Sequence, residues 1–124
     1  MTLQELYGSI GENYDQALRV LRVEKLVDKH IRRLTGNGLI EALLAAGETM
    51  DPERLFETAH AVKGNCGNLG LMQLFTASSA IAEEFRPGNP RTMTDDEVAG
   101  KLQEIASLYE TTAAEIRRYA AENP

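Results

Sequence analysis

The chain has 124 residues, of which 43% are hydrophobic and 26% charged, and its formal net charge is −6. That length supports one self-sufficient core, so we expect a single domain over residues 1–124. The acidic balance argues against nucleic acid or an anionic membrane as a partner. No apolar run is long enough to span a bilayer, and no basic-then-apolar leader is apparent. We therefore expect a soluble, cytoplasmic protein.

The first residues carry the signal of a short helix. Thr2 and Glu5 form a capping-box pattern, in which each side chain accepts a hydrogen bond from the backbone N–H of the other residue. We expect this helix to end near Gly8 or Gly11, because glycine readily adopts the left-handed conformation that closes a helix.

A second helix is predicted to begin after Asn13, which can cap it, and to continue to Thr35. Its apolar positions recur three to five residues apart, at Leu18, Val23, Val27, Ile31 and Leu34. The Gly-Asn-Gly sequence of residues 36–38 should end it. A short helix is predicted from Leu39 to Ala46, with Gly47 as its stop.

A longer helix should start at Asp51 and Pro52, because an aspartate cap followed by proline is a typical helix opening. Its predicted end is Gly70. The buried face is defined by apolar residues four and three positions apart: Leu55, Ala59, Val62, Cys66 and Leu69. Cys66 is the only cysteine, so it forms no disulfide within the chain, and its position on this face favours inert packing.

The remaining residues predict two further helices. An apolar pattern runs through residues 71–85, and the Pro-Gly-Asn-Pro of residues 87–90 is a loop. Thr94 and Glu97 then form a capping box that opens a long helix. Its apolar positions alternate four and three residues apart: Val98, Leu102, Ile105, Tyr109, Thr112, Ile116 and Tyr119. Together these patterns predict an all-α protein, an up-down four-helix bundle with short additional N-terminal helices.

His60 lies off the apolar face of its helix. At about 100° per residue, it points about 140° away from the centre of that face and should be exposed. Lys63 and Gly64 follow it by three and four residues on the same stripe. A solvated histidine beside an ordinary lysine would explain this pattern. However, Gly64 and Gly67 each destabilise a helix interior by about 1 kcal/mol relative to alanine, which suggests a functional site.

Residues 59–70 resemble the motif of histidine-containing phosphotransfer (HPt) domains from bacterial and plant phosphorelays. That motif is A-H-x-(apolar)-K-G-x-x-x-x-x-G, and the chain matches it in register with Ala59, His60, Val62, Lys63, Gly64 and Gly70. The resemblance extends over roughly residues 14–120, of which residues 59–71 are specific. It implies a helical bundle whose partners are a hybrid sensor kinase and the receiver domain of a response regulator.

The residue types around His60 suit phosphoryl transfer. A neutral imidazole nitrogen can attack phosphorus, and an ammonium one helical turn away can stabilise the charge on the phosphoryl oxygens. We therefore predict His60 as the phosphoacceptor and Lys63 as the phosphate-stabilising residue. Gly64 and Gly67 lack side chains and would leave clearance for a partner's active site.

Other functional signals are weaker. Many HPt domains carry a polar residue in the next helix that supports the histidine, and Ser78 and Ser79 are the nearby candidates for this role. No glycine-rich phosphate loop follows a strand, and no aspartate cluster indicates a metal site. We expect no cofactor, no metal and no kinase activity in this chain.

The helix predicted over residues 13–35 carries two further features. His30 lies among apolar residues and is predicted to pack in the core. The opposite face carries cations at intervals of three and four residues: Arg19, Arg22, Lys25, Lys29, Arg32 and Arg33. We interpret this stripe as a solvated face, and a docking surface for an acidic partner such as a receiver domain is the open alternative.

We interpret the chain as a monomeric phosphocarrier that accepts a phosphoryl group on His60 from a receiver aspartate and passes it to another receiver. The first alternative is a helical interaction module that binds receivers or kinases without accepting phosphate. A metal-assisted hydrolase ranks last, because that class needs Glu and His clusters at inward-facing positions and the buried positions here show none.

Overall fold

A computed structural model describes residues 1–124 and consists entirely of helices and their connections. The helices are α1 (Leu3–Ser9), α2 (Tyr14–Leu21), α3 (Glu24–Arg33), α4 (Leu39–Thr49), α5 (Pro52–Asn68), α6 (Met72–Glu84) and α7 (Asp95–Glu122). The prediction of an all-α protein is confirmed. A membrane-spanning segment would need a long, apolar helix, and none of the seven meets both conditions.

Four of the helices begin at the cap residues that the sequence indicates. Thr2 and Thr94 each accept a hydrogen bond from the N3 amide, and the glutamate at N3 reaches back in both cases to complete a capping box. Asn13 accepts from the amide of Gln16, and Asp51 caps α5 ahead of Pro52. These side chains satisfy amides that have no partner inside the helix, which explains why the starts are readable from local sequence.

Helices α4, α5, α6 and α7 form a closed ring in chain order, with α4 also contacting α7. Helices α4 and α7 are antiparallel, since Glu41 approaches Tyr109 while Gly47 lies against Leu102. Buried apolar side chains from all seven helices merge into one core. The up-down connectivity remains a prediction, and this antiparallel pair agrees with it.

The prediction that Gly47 ends α4 is wrong, because the helix continues to Thr49 and closes at Met50, whose φ is 54°. A Cβ atom on Gly47 would collide with the side chain of Leu102 on α7. The glycine therefore permits the close approach of two helices, and its local signal of a helix stop is overridden by tertiary packing.

The prediction of one continuous helix over residues 13–35 is also wrong. The chain breaks at Arg22, which has a left-handed φ of 76°, and at Val23, which is 51% exposed although its spacing placed it on the buried face. Ala17 and Val27 are both buried. In a straight helix the side chains of these two residues would point in directions about 80° apart. Because the helix is broken, α2 can pack on α1 and α5 while α3 packs on α7.

A buried carboxylate holds the connection between α6 and α7. Glu84 accepts hydrogen bonds from the amides of Thr92 and Met93 and from the guanidinium of Arg91. The two amides, the Thr92 hydroxyl and Arg91 lower the pKa of Glu84 to about 2, so the group stays ionised in the fold. This clamp fixes the loop that follows the C-terminal end of α6.

Candidate functional site

His60 lies near the middle of α5, and its side chain is exposed, as predicted. The opposite face of the helix is buried through Leu55, Ala59, Val62 and Cys66. The far end of α5 is fixed by Tyr7 of α1, whose hydroxyl donates to the carbonyl of Leu69 at 2.6 Å. The position of the imidazole on the outer surface therefore follows from the apolar pattern of its own helix.

Phe56, one turn before His60 on α5, stacks against the imidazole. The ring centroids are 5.6 Å apart and the planes are inclined by 23°. The guanidinium of Arg86, just beyond α6, lies 5.6 Å from the centroid of the same phenyl ring. The site thus continues from α5 onto the end of α6, which the sequence pattern had not indicated.

Charged side chains of Glu83, Arg86 and Lys63 interact near this stack. Arg86 donates to Glu83 at 2.6 Å, and the carbonyl of Glu83 accepts from the side-chain amide of Asn89. The guanidinium of Arg86 lowers the pKa of Glu83, and the charge of Lys63 acts in the same direction. Lys63 is half-buried on α5, three residues after His60. The carboxylate of Glu83 therefore pairs with Arg86 and interacts electrostatically with Lys63.

The three glycines of the motif have different surroundings. A Cβ atom on Gly64 would meet nothing within 4 Å, and the residue is exposed. A Cβ atom on Gly67 would lie 3.0 Å from Cδ2 of Phe75 on α6. Gly70 has a φ of +68°, and a Cβ atom there would collide with the backbone carbonyl of Asn13. Of the three, only Gly64 has open space around it, whereas Gly67 fits tightly against Phe75 and the backbone at Gly70 leaves no room for a side chain.

The family model described as Hpt domain matches residues 23–118 of the chain. The chain belongs to the Hpt domain family. This family performs histidine phosphotransfer in phosphorelays. The matched range contains α3 to α6 and most of α7, and therefore includes His60, Lys63 and Gly64. Neither the curated proteins nor the solved structures gave a significant match.

The two serines predicted as support for the histidine of this Hpt domain are engaged elsewhere. The Ser78 hydroxyl is buried and donates to the carbonyl of Leu74 at 2.6 Å. The Ser79 hydroxyl donates to the carbonyl of Phe75, also at 2.6 Å. Both bonds stay within α6, as is common for serine inside a helix. The side chain that contacts His60 is Phe56, and its position one helical turn away was the sequence signal that could have identified it.

The remaining histidine and the cysteine of the Hpt domain lie away from this surface. His30 is only half-buried, so the prediction that it packs in the core is wrong. Helix α3 lies on the outside of the bundle and buries only the narrow stripe of Val27 and Ile31. Cys66 is buried as predicted, and burial raises the pKa of its thiol to about 12, which keeps it protonated and unreactive.

The basic stripe is divided by the break between α2 and α3. Arg32 is not a free cation of this stripe, because its guanidinium pairs with Asp28 at 2.9 Å and lies 5.0 Å from the ring centroid of Tyr119. The other five cations are exposed. Helix α3 packs mainly on α2 and α7, and α2 meets α5 near Gly70, at the end remote from Phe56. The stripe is therefore separate from the surface formed by Phe56, His60 and Arg86.

Proposed function

We propose that this Hpt domain is a phosphocarrier, which accepts a phosphoryl group on His60 from a receiver aspartate and passes it to a second receiver. The observation that carries the proposal is the exposed imidazole beside Lys63, with an open helix surface at Gly64. The donor and acceptor would be the receiver domains of a hybrid sensor kinase and of a response regulator. One copy of the chain suffices, because all the groups invoked belong to α5, α6 and the residues just after α6.

The transfer step follows from the chemistry of an acyl phosphate. A ring nitrogen of His60 attacks the phosphorus with its lone pair, a P–N bond forms, and the P–O bond to the receiver aspartate breaks. The aspartate leaves as a carboxylate, while the other ring nitrogen of His60 keeps its proton. Transfer to the second receiver is the same reaction in reverse, with a metal ion held by the receiver.

Lys63 would supply the electrostatic part of the site. Its ammonium follows His60 by one helical turn, which brings it close to the oxygens of a phosphoryl group on the imidazole. Positive charge at that position stabilises the negative charge that those oxygens carry during transfer. Glu83 partly neutralises the cations in the unphosphorylated chain, and the phosphoryl oxygens would compete with it for Lys63 and Arg86.

The shape of the site favours a carrier over a self-contained enzyme. Enzyme sites are usually concave, whereas His60 projects from a helix surface. A cleft lies between α1, the start of α2 and α6, and His60 is not among its lining residues. No group of three His, Cys, Asp or Glu side chains is arranged to hold a metal ion, so no observation supports the hydrolase alternative.

The experiment mixes the full chain with a phosphorylated receiver domain and follows radiolabelled phosphate. We expect label on wild-type chain and on a His30→Gln control, and none on His60→Gln, whose circular dichroism should be unchanged because the site is exposed. Label on His60→Gln would contradict the assignment of the phosphoacceptor. Receiver binding without label on the wild-type chain would favour the interaction module instead.

A further inference from the structure

Phe56 is a half-buried aromatic residue that packs against the edge of the core, and the family motif gives it no role. It lies one helical turn before His60, and side chains on a helix lean toward the N-terminus. The imidazole of His60 therefore extends over the turn that carries the phenyl ring. The 5.6 Å centroid distance and 23° inclination are those of an offset stack.

The phenyl ring is itself restrained from α6. Arg86 places its guanidinium over that ring, and Glu83 holds the guanidinium through contacts to both Nε and Nη2. Residues after Arg86 are fixed in turn, because Asn89 donates to the carbonyl of Glu83 and the buried carboxylate of Glu84 binds the Thr92 amide. The position of the phenyl ring is thus set by α5 and by the segment that follows α6.

From this geometry we infer that Phe56 is a positioning residue for phosphotransfer, which holds the imidazole of His60 in one orientation while Arg86 braces the phenyl ring. The inference rests on the proposed function of His60. An exposed histidine otherwise samples several rotamers, and transfer requires the attacking nitrogen to be in line with the bond that breaks. A phenyl ring can hold the imidazole without hydrogen bonding to either nitrogen, so both remain free for chemistry.

The stack should act on the rate of transfer and leave the affinity for the receiver unchanged. Aromatic pairs of this kind contribute enough free energy to change an orientational equilibrium by about two- to tenfold. We therefore expect Phe56→Leu, which keeps an apolar side chain but removes the ring, to slow transfer by about two- to tenfold at saturating receiver. Phe56→Tyr keeps the ring and should restore the rate.

The test compares these two variants with Phe75→Leu, the same substitution at a half-buried phenylalanine of α6 that packs under Gly67 rather than against His60. The probe is a phosphorylated receiver domain, with rates measured across receiver concentrations to separate saturating rate from affinity. NMR of the His60 ring protons provides the spectroscopic readout. Their ring-current shifts and their contacts to the phenyl protons should vanish in Phe56→Leu and persist in Phe56→Tyr and Phe75→Leu.

The measured rates and affinities either support the positioning role of Phe56 or overturn it. A slower saturating rate in Phe56→Leu with restoration by tyrosine supports the inference. An unchanged rate, a loss confined to receiver affinity, or an equal slowing in Phe75→Leu overturns it and leaves the phosphocarrier proposal intact. A wild-type chain that binds receivers but takes no phosphoryl group overturns both, so the two failures are distinguishable.

Discussion

A side chain added at Gly64 should stabilise the protein and impair its function. The glycine lies inside α5, and its Cβ position is open for at least 4 Å. Replacing glycine by alanine or glutamine in a helix interior stabilises it by about 0.5–1 kcal/mol, because fewer backbone conformations are lost on folding. For a domain of this size, 1 kcal/mol corresponds to a rise in Tm of roughly 3–5 °C.

The functional effect should depend on the size of the new side chain. Gly64 lies on the exposed stripe of α5, one turn from His60. If His60 is the phosphoacceptor, as we propose, a receiver would approach the helix backbone there. We expect Gly64→Ala to bind a receiver nearly as well as wild type, and Gly64→Gln to bind more weakly because its longer side chain occupies the approach. Titration with a receiver domain measures binding, and thermal melts of the same samples measure stability.

The other motif glycines provide matched controls. Gly67→Ala should gain little stability, since its Cβ atom would lie 3.0 Å from Cδ2 of Phe75. Gly70→Ala should destabilise by about 2 kcal/mol or more, because the left-handed backbone and the carbonyl of Asn13 both oppose a side chain there. A lower Tm for Gly64→Gln would show that the helix surface at Gly64 does not have room for a side chain. Wild-type receiver binding by that variant would refute the argument from clearance.

Two further predictions concern charged groups. Lys63→Ala should raise the activation free energy of transfer by about 1–3 kcal/mol, because one cationic contact to the phosphoryl oxygens is lost. Single-turnover rates with a phosphorylated receiver measure this effect. A wild-type rate would contradict the stabilising role of Lys63. The pKa of Glu84 is about 2 in the folded state, below the ordinary carboxyl value of 4.5. The ionised carboxylate therefore stabilises the fold above pH 4.5, and this stabilisation is lost as the pH falls toward 2. Melts of wild type and Glu84→Gln should therefore differ at pH 7 and converge near pH 2, and a difference that does not depend on pH would show that the Glu84 carboxylate does not act through its charge.

The sequence alone determined the features that depend on neighbours within one helical turn. Capping residues such as Asn13, Asp51 and Thr94 can be identified because they bond to amides two or three positions away. The exposure of His60 also follows from its own helix, since the apolar residues of α5 fix which face is buried. The same periodicity placed Cys66 in the core.

Tertiary structure decided the features that depend on which helix lies alongside. The roles of Gly47 and Gly67 could not be predicted from the local sequence. A glycine that permits close helix contact looks the same in the sequence as one that ends a helix or leaves a surface open. The break at Arg22 arises since α2 and α3 pack on different helices. The contact of Phe56 with His60 could have been predicted from the sequence, because the two residues are one helical turn apart. The bracing of the phenyl ring by Arg86 depends on how α5 and α6 are aligned, with Phe56 meeting Arg86 and Gly67 meeting Phe75, and no local pattern encodes that alignment.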